Sequence, residues 1–378
     1  MKRVTFFVVA SFLVASLTAR ACGEGTADRP ALKDAFADDF LVGVAVGTHQ
    51  TEGNEPAALE LVEEQFNAIT PENLLKWQEV HPEPDEYNFG PADRYVQFGE
   101  KNGMKIIGHT LVWHNQTPRW VFEDEAGNPV DREILLQRMR DHIHTVVGRY
   151  KGRIHGWDVV NEAVDDEGNL RLTPWQRIIG DDYIEKAFEY AHEADPDAEL
   201  YYNDFSEWKP GRRKGYNRVV RDLKAKGIRI DGIGLQGHWG LDYPTLDELE
   251  AMFEDYRKLG VKLMITELDI NLLPRPEPSQ QGADISRNYE LKQELDPYAD
   301  GLPDAVQQAL TDRYTEIFAC FHKNRDAIDR VTFWGVHDGH SWLNDWPVRG
   351  RTAYPLLFDR QLQPKPALDA VLQTTKQN

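Results

Sequence analysis

Short apolar runs bounded by turn residues alternate along the chain with longer stretches of helical spacing. The runs predict eight strands, at 40–46, 66–70, 104–109, 154–160, 198–203, 231–237, 261–267 and 329–336. The helical stretches include Arg132 to Tyr150, Tyr183 to Ala194, Gly215 to Lys226, Leu246 to Leu259 and Asp304 to Lys323. Eight alternating units in one domain predict a closed (β/α)8 TIM barrel of the α/β class. The first strand is followed by no glycine-rich phosphate loop, which argues against a dinucleotide-binding sheet.

The chain is long enough for a short leader segment followed by one barrel domain. Of the 378 residues, 1–21 are predicted to be a signal peptide, 22–34 an N-terminal linker and 35–375 a single catalytic domain. The segment from Pro274 to Gly301 is rich in Pro, Gln and Asp, and we expect it to form a long loop on the rim of the barrel.

The first residues carry the pattern of an export signal. Met1-Lys2-Arg3 is a positive start, and an apolar run follows from Val4 to Leu17. We therefore expect an exported protein that is secreted, periplasmic or lipid-anchored at the cell surface. Ala19-Arg20-Ala21 is compatible with simple cleavage, whereas Cys22 directly after it is compatible with a lipid anchor, and both alternatives stay open.

Composition and charge narrow the possible partners. The formal net charge of −20 argues against nucleic acid, which is bound by clustered Lys and Arg, and favours a neutral or weakly charged polymer. The body of the chain has no apolar run near the roughly 20 residues that a membrane span requires. Because Cys22 and Cys320 are the only cysteines, we expect stability to come from packing, with Cys320 a buried and inert thiol. A monomer is expected.

Two of the predicted strands end on glutamates. Glu162 follows Asn161 at the end of the fourth strand, and Glu267 ends the seventh strand, two residues before Asp269. Barrel strands deliver catalytic groups at their carboxyl ends, and glycoside hydrolysis needs two carboxyl groups that flank the scissile bond. The alternatives are that Glu162 is a solvated surface group and that Glu267 and Asp269 form a structural ion pair with an arginine.

Other strand ends carry aromatic, imidazole and amide side chains, which suit the C–H faces and hydroxyl groups of a sugar. They are His109, Trp113, His114, Asn115, Gln116, Gln236, His238, Trp239, Trp334 and Trp342. Histidines with nearby acids could also hold a metal ion. However, no His-x-His pair lies near a strand end, apart from His142 and His144 within a predicted helix, so we expect neither a metal nor a cofactor.

At these residues the sequence resembles glycoside hydrolase family 10, the endo-xylanases, from about Phe40 to Leu368. The resemblance implies endo-acting hydrolysis of β-1,4-xylosidic bonds in xylan and xylo-oligosaccharides, with retention of configuration. It implies that Glu162 is the acid/base, Glu267 the nucleophile and Asn161 the donor to the sugar 2-hydroxyl. His238 would hydrogen-bond the nucleophile and Asp269 would support that histidine. The other residues implied to bind substrate are Glu72, Asn73, Lys76, His109, Trp113, Gln116, Gln236, Trp334 and Trp342.

One turn departs from the family pattern. The family's Asn-Asp-Tyr-Asn is here Asn203-Asp204-Phe205-Ser206, so an aromatic contact on the leaving-group side is expected without its hydroxyl. A retaining mechanism requires the two carboxyl groups to lie about 5–5.5 Å apart and Glu162 to begin protonated. Another β-1,4-glycan endo-hydrolase on the same barrel, a glucanase or a mannanase, is the first alternative, and a non-catalytic glycan-binding protein is the second.

Overall fold

Eight parallel strands close into a barrel in the computed structural model of the chain, which describes residues 29–275 and 292–376. Neighbours in sequence pair from the first strand to the sixth, and the sixth, eighth and ninth continue the ring back to the first. A short additional strand pairs only with the eighth. The strands are β1 (Leu41–Val46), β2 (Ala68–Pro71), β3 (Lys105–Val112), β4 (Gly156–Asn161), β5 (Glu199–Asp204), β6 (Gly232–Leu235), β7 (His238–Gly240), β8 (Lys262–Asn271) and β9 (Ile328–Phe333). The predicted TIM barrel is confirmed.

Helices fill the connections between strands. They are α1 (Leu32–Ala35), α2 (Thr48–Thr51), α3 (Pro56–Gln65), α4 (Trp77–Val80), α5 (Gly90–Lys101), α6 (Arg132–Arg149), α7 (Pro174–Ile179), α8 (Tyr183–Ala194), α9 (Pro210–Ala225), α10 (Leu246–Arg257), α11 (Asp304–Lys323) and α12 (Pro366–Thr374). The predicted bounds of α8 and α11 are confirmed. Helix α9 begins earlier than predicted, because Pro210 occupies its first turn, where a missing N–H costs nothing.

The apolar core lies between the barrel and its ring of helices. On α6, Leu135, Met139, Ile143 and Val146 recur at helical spacing and are all buried. Leu32 of α1 is also buried and donates its backbone N–H to Gln65, so regular structure begins inside the segment 22–34 that the sequence predicts to be a linker.

Two further features of the described residues bear on function. Burial raises the pKa of the Cys320 thiol to about 12, so this cysteine stays protonated and unreactive at neutral pH. Among the helices described, none is both long enough and apolar enough to cross a bilayer. The predicted signal peptide and Cys22 lie outside the described residues.

Candidate active site

A cleft of about 720 Å³ lies at the carboxyl ends of the barrel strands. Its lining contains all the residues that the sequence predicts to be catalytic or to bind substrate, and Asp269 lies behind His238. Three other side chains named at strand ends, His114, Asn115 and Trp239, are not part of this lining, and the Trp239 ring nitrogen donates instead to Glu207. The predicted residues in the lining are Glu72, Asn73, Lys76, His109, Trp113, Gln116, Asn161, Glu162, Gln236, His238, Glu267, Trp334 and Trp342. The cleft also contains Gln78, Asp345, Trp346 and Arg349, which the sequence does not single out.

Glu162 follows β4 in a backbone conformation that ordinary residues rarely adopt. Its φ is 59°, while its N–H still donates to the carbonyl of Asn203 at 2.9 Å. The side chain is buried and accepts a hydrogen bond from Gln236 at 3.1 Å. Burial, and to a smaller extent the charge of Glu267, raise the pKa of Glu162. A carboxyl group in this position is therefore suited to carry a proton.

Glu267 lies within β8 at an irregularity in the sheet. The pairing of β8 with β9 shifts register between Ile265 and Leu268, which is the kind of bulge that redirects a side chain. Burial acts to raise the pKa of Glu267, but the hydrogen bond and charge of His238, the charge of His109 and a hydrogen bond from Asn203 outweigh it. The pKa is lowered overall, so Glu267 is the ionised member of the pair.

His238 lies between two carboxylates. Its Nδ1 is 3.0 Å from Asp269 Oδ1, and its Nε2 is 3.2 Å from Glu267 Oε2. Burial opposes the charged form, yet Asp269 and Glu267 together raise the pKa of His238 to about 10. The other Asp269 oxygen accepts a hydrogen bond from Trp342 Nε1 at 2.7 Å. At neutral pH the ring is thus an imidazolium that donates to both acids.

A chain of amides connects the two glutamates. Asn203, at the end of β5, donates at 2.8 Å to Glu267 and at 2.9 Å to Asn161. The Asn161 oxygen also faces the Gln236 amide at 3.3 Å, and that amide donates to Glu162. Asn203 is absent from the residues predicted for the site, although its position as a polar residue at a strand end was an available signal.

The side of the cleft next to β2 is built around a buried lysine. Lys76 donates to Asn73 at 2.9 Å and to Gln116 at 3.0 Å, and its ammonium lies 4.9 Å from the centre of the Trp113 ring. Burial lowers the pKa of Lys76 although Glu267, Glu72 and Glu162 act in the opposite direction. Burial likewise raises the pKa of Glu72. This region offers fixed donors and acceptors for sugar hydroxyl groups.

Aromatic rings cover the opposite side. Trp334 packs edge-on against His109 with ring centres 5.4 Å apart, and Trp342 stacks on Trp346 at 4.7 Å. His109 is held by Asp158, whose Oδ2 lies 2.9 Å from its Nδ1. Flat apolar walls with fixed polar edges suit a sugar ring better than a charged ligand.

The substituted turn after β5 faces inward. Phe205 is buried, with the guanidinium of Arg212 4.1 Å from the centre of its ring. Arg212 also pairs with the buried Asp204 at 2.9 Å. Phe205 does not belong to the lining of this cleft, and the aromatic contact expected on the leaving-group side stays a prediction. Of the loop predicted at 274–301, residues 276–291 lie outside the described part of the chain.

Two carboxyl groups with opposite protonation preferences, in a cleft of amides and aromatic rings at the mouth of a (β/α)8 barrel, define a glycoside hydrolase. The chain belongs to glycosyl hydrolase family 10, whose family model matches residues 31–374.

Individual relatives resemble the chain over most of its length. It is 46% identical to endo-1,4-beta-xylanase A of Xylanibacter ruminicola, covering 91% of this chain and 93% of that protein. It is 45% identical to an endo-1,4-beta-xylanase of Geobacillus stearothermophilus, over 89% of this chain and 96% of the other. A solved GH10 endoxylanase retrieved from a sugarcane soil metagenome superposes with a TM-score of 0.87 at 46% identity, covering 91% and 99% of the two chains.

Proposed function

We propose that this protein is an endo-β-1,4-xylanase that cleaves internal xylosidic bonds with retention of configuration. The observation that carries the proposal is the pair Glu162 and Glu267, which share one cleft and one amide chain but differ in the direction of their pKa shifts. The names of the relatives described above give the substrate class.

In the first step Glu162 is the acid. It transfers its proton to the glycosidic oxygen while a Glu267 oxygen attacks the anomeric carbon, so the C–O bond to the departing sugar breaks and a covalent glycosyl-enzyme forms. The imidazolium of His238 holds Glu267 ionised and oriented before the attack. Asn161, whose amide nitrogen lies 3.4 Å from Glu162 Oε1, is the proposed donor to the sugar 2-hydroxyl.

In the second step Glu162 is the base. Once Glu267 is bound covalently it has no charge, so its contribution to the raised pKa of Glu162 disappears. The ionised Glu162 then takes a proton from water, the water oxygen attacks the anomeric carbon, and Glu267 leaves as a carboxylate. The cycle returns both groups to their starting states.

The proposed preference for xylose rests on the aromatic cover. Trp334 and Trp342 line the cleft, with ring centres 6.5 and 4.9 Å from that of His238. We infer that these rings restrict the space in which a hexose would carry its C6 hydroxymethyl group. A glucanase or a mannanase requires that space. A non-catalytic glycan-binding role would have no need for the opposed protonation of the two glutamates.

The test is the time course of products from glucuronoxylan and from carboxymethyl-cellulose. We expect short xylo-oligosaccharides from glucuronoxylan alone, and Glu267→Ala serves as the control that loses this release. Faster release from carboxymethyl-cellulose would assign the protein to another β-glycan hydrolase. Binding without any release would make it a glycan-binding protein, and full activity in Glu267→Ala would exclude Glu267 as the nucleophile.

We further propose that the protein is exported and acts as a monomer. The proposal of export rests on the positive and apolar N-terminal pattern together with the polymeric substrate, which cannot enter a cell intact. The mass of the mature N-terminus distinguishes the two routes. Cleavage after Ala21 without further mass indicates free secretion, a diacylglycerol mass on Cys22 indicates a lipid anchor, and an uncleaved Met1 start contradicts export. Light scattering of the mature protein tests the monomer.

A further inference from the structure

Two loops that meet where the barrel closes bring together a second group of ionisable side chains. Strand β1 pairs with β9, and the connections that follow these strands lie side by side. The first connection contains His49 on α2 and Glu55 at the start of α3, and the second contains His340. One ligand atom from each of these three residues lies within 4.8 Å of the other two. None of the three lines the substrate cleft.

Two of these residues, Glu55 and His340, share a polar neighbour in Gln50. Glu55 Oε2 and His340 Nδ1 are 3.1 Å apart. The Gln50 amide is fixed because its oxygen accepts the Gly47 N–H at 2.9 Å, so its NH2 group faces both Glu55 and His340 and contacts each. An electropositive group therefore sits beside both acceptors. A cation bound here would displace this NH2 group and bind the Glu55 oxygen and the unprotonated His340 Nδ1 in its place.

A neighbouring histidine fixes the carboxylate. His337 Nδ1 accepts the backbone N–H of Gly339 at 3.1 Å, so the ring proton is on Nε2, which donates to Glu55 Oε1 at 3.0 Å. This hydrogen bond uses one Glu55 oxygen and leaves the other directed at His340. Carboxylates that bind metals are commonly held in this way by an outer partner.

We propose that His49, Glu55 and His340 form a binding site for Zn²⁺ or a chemically similar transition-metal ion. Two imidazoles and one carboxylate are a ligand set that zinc accepts, with water in the fourth position, whereas Mg²⁺ and Ca²⁺ prefer oxygen ligands. His49 is exposed and lies edge-on to His340 with ring centres 5.5 Å apart, so an ion can reach the site from solvent. His337 is a positioning residue.

The bound ion would connect the loop after the first barrel strand to the loop after the last one. In the unfolded chain His49 and His340 are far apart in sequence, so the assembled site belongs to the folded state. Zinc is therefore expected to stabilise the protein. At about a hundredfold excess over its Kd, it should raise the Tm of a chain of this length by roughly 3–4 °C.

The experiment measures zinc binding to the full-length protein after removal of metals with a chelator. Calorimetric titration with ZnCl2 should give one site, and the Tm should rise with ZnCl2 but not with MgCl2. His340→Ala and His49→Ala should each weaken zinc binding at least tenfold. The matched control is His144→Ala, which removes a surface histidine that also lies 3.2 Å from a glutamate oxygen, that of Glu193. This control should bind zinc like the wild type.

Three outcomes would overturn the proposal. One is the absence of heat and of a Tm rise with ZnCl2 in the wild-type protein. Another is an unchanged zinc affinity in both His340→Ala and His49→Ala, and His49→Ala remains informative because an exposed side chain is replaced. The third is loss of zinc binding in His238→Ala but not in His340→Ala, which would place the ion in the substrate cleft.

Discussion

Replacing Asp269 by Asn should lower the pKa of His238, because it removes one of the two carboxylates that hold the imidazolium. The wild-type pKa is about 10, compared with 6.5 for an ordinary histidine side chain. The difference corresponds to roughly 5 kcal/mol, which is what remains of the attraction to Asp269 and Glu267 after the opposing cost of burial. A single adjacent opposite charge typically contributes about 1–3 pH units, so we expect a pKa of about 7–9 in Asp269→Asn.

The same change alters the dependence of stability on pH. Because the folded-state pKa of His238 lies above the unfolded value, its stabilisation is complete below about pH 6.5 and is lost as the pH rises towards 10. In Asp269→Asn this loss should be smaller, by about 1.4–4 kcal/mol, and should be finished at a lower pH. The two oxygens of Asp269 accept hydrogen bonds from His238 and Trp342. The amide side chain of the variant has one oxygen and can accept only one of these hydrogen bonds without rearrangement.

NMR titration of the His238 Cε1–H group measures the pKa directly, and urea unfolding at pH 6 and pH 9 measures the stability. Asp345→Asn is the matched control, because Asp345 is an exposed acid that lines the same cleft. We expect the control to leave the His238 titration near pH 10. An unchanged His238 pKa in Asp269→Asn, or equal changes in both variants, would refute the assignment of Asp269 as the partner that holds the imidazolium.

Three more substitutions test other parts of the site. Glu162→Gln should lower turnover of natural xylan by about 10²–10⁴-fold but spare the first step on aryl xylosides with activated leaving groups. Equal losses on both substrates would count against the acid/base role. Asn203→Ala should lower kcat roughly 10–100-fold, because Glu267 and Asn161 both lose a donor; an unchanged kcat would contradict this. Burial raises the pKa of Glu207 to about 7, so the wild type loses stability between about pH 4.5 and 7. Glu207→Gln should be more stable than the wild type at pH 8 by up to about 3 kcal/mol in urea unfolding, and equal stabilities at pH 8 would show that Glu207 is not ionised there.

Strand position was predictable because a buried parallel strand is a local pattern of apolar residues. Helix α11 was also predictable, because Asp304 begins it after Pro303 and Lys323 ends it. Strand β8 continues past Glu267 to Asn271, because its last residues pair with β7. The sequence predicts that this strand ends at Glu267, because polar side chains follow and the sequence does not show which strand they pair with.

The parts of the site that the sequence did not predict depend on contacts between distant segments. Asn203 matters because its amide reaches both Asn161 and Glu267, which lie on other strands. His340 gains its neighbours only when the last connection of the barrel meets the first. Phe205 keeps the aromatic character of the family turn, and its ring contacts the guanidinium of Arg212. None of these pairings produces a local pattern in the chain.

The order of protonation of the two glutamates follows from how the barrel distributes charge around them. Both are buried, and burial alone would raise both pKa values. Only Glu267 has an imidazolium in direct contact, while Glu162 is held by the neutral amides of Gln236 and Asn161. The connecting chain through Asn203 is also neutral. It therefore orients both carboxyl groups without removing the difference between their pKa values. A cation in the place of Asn203 would favour ionisation of the glutamates and so act against the protonated state that Glu162 needs to protonate the leaving group.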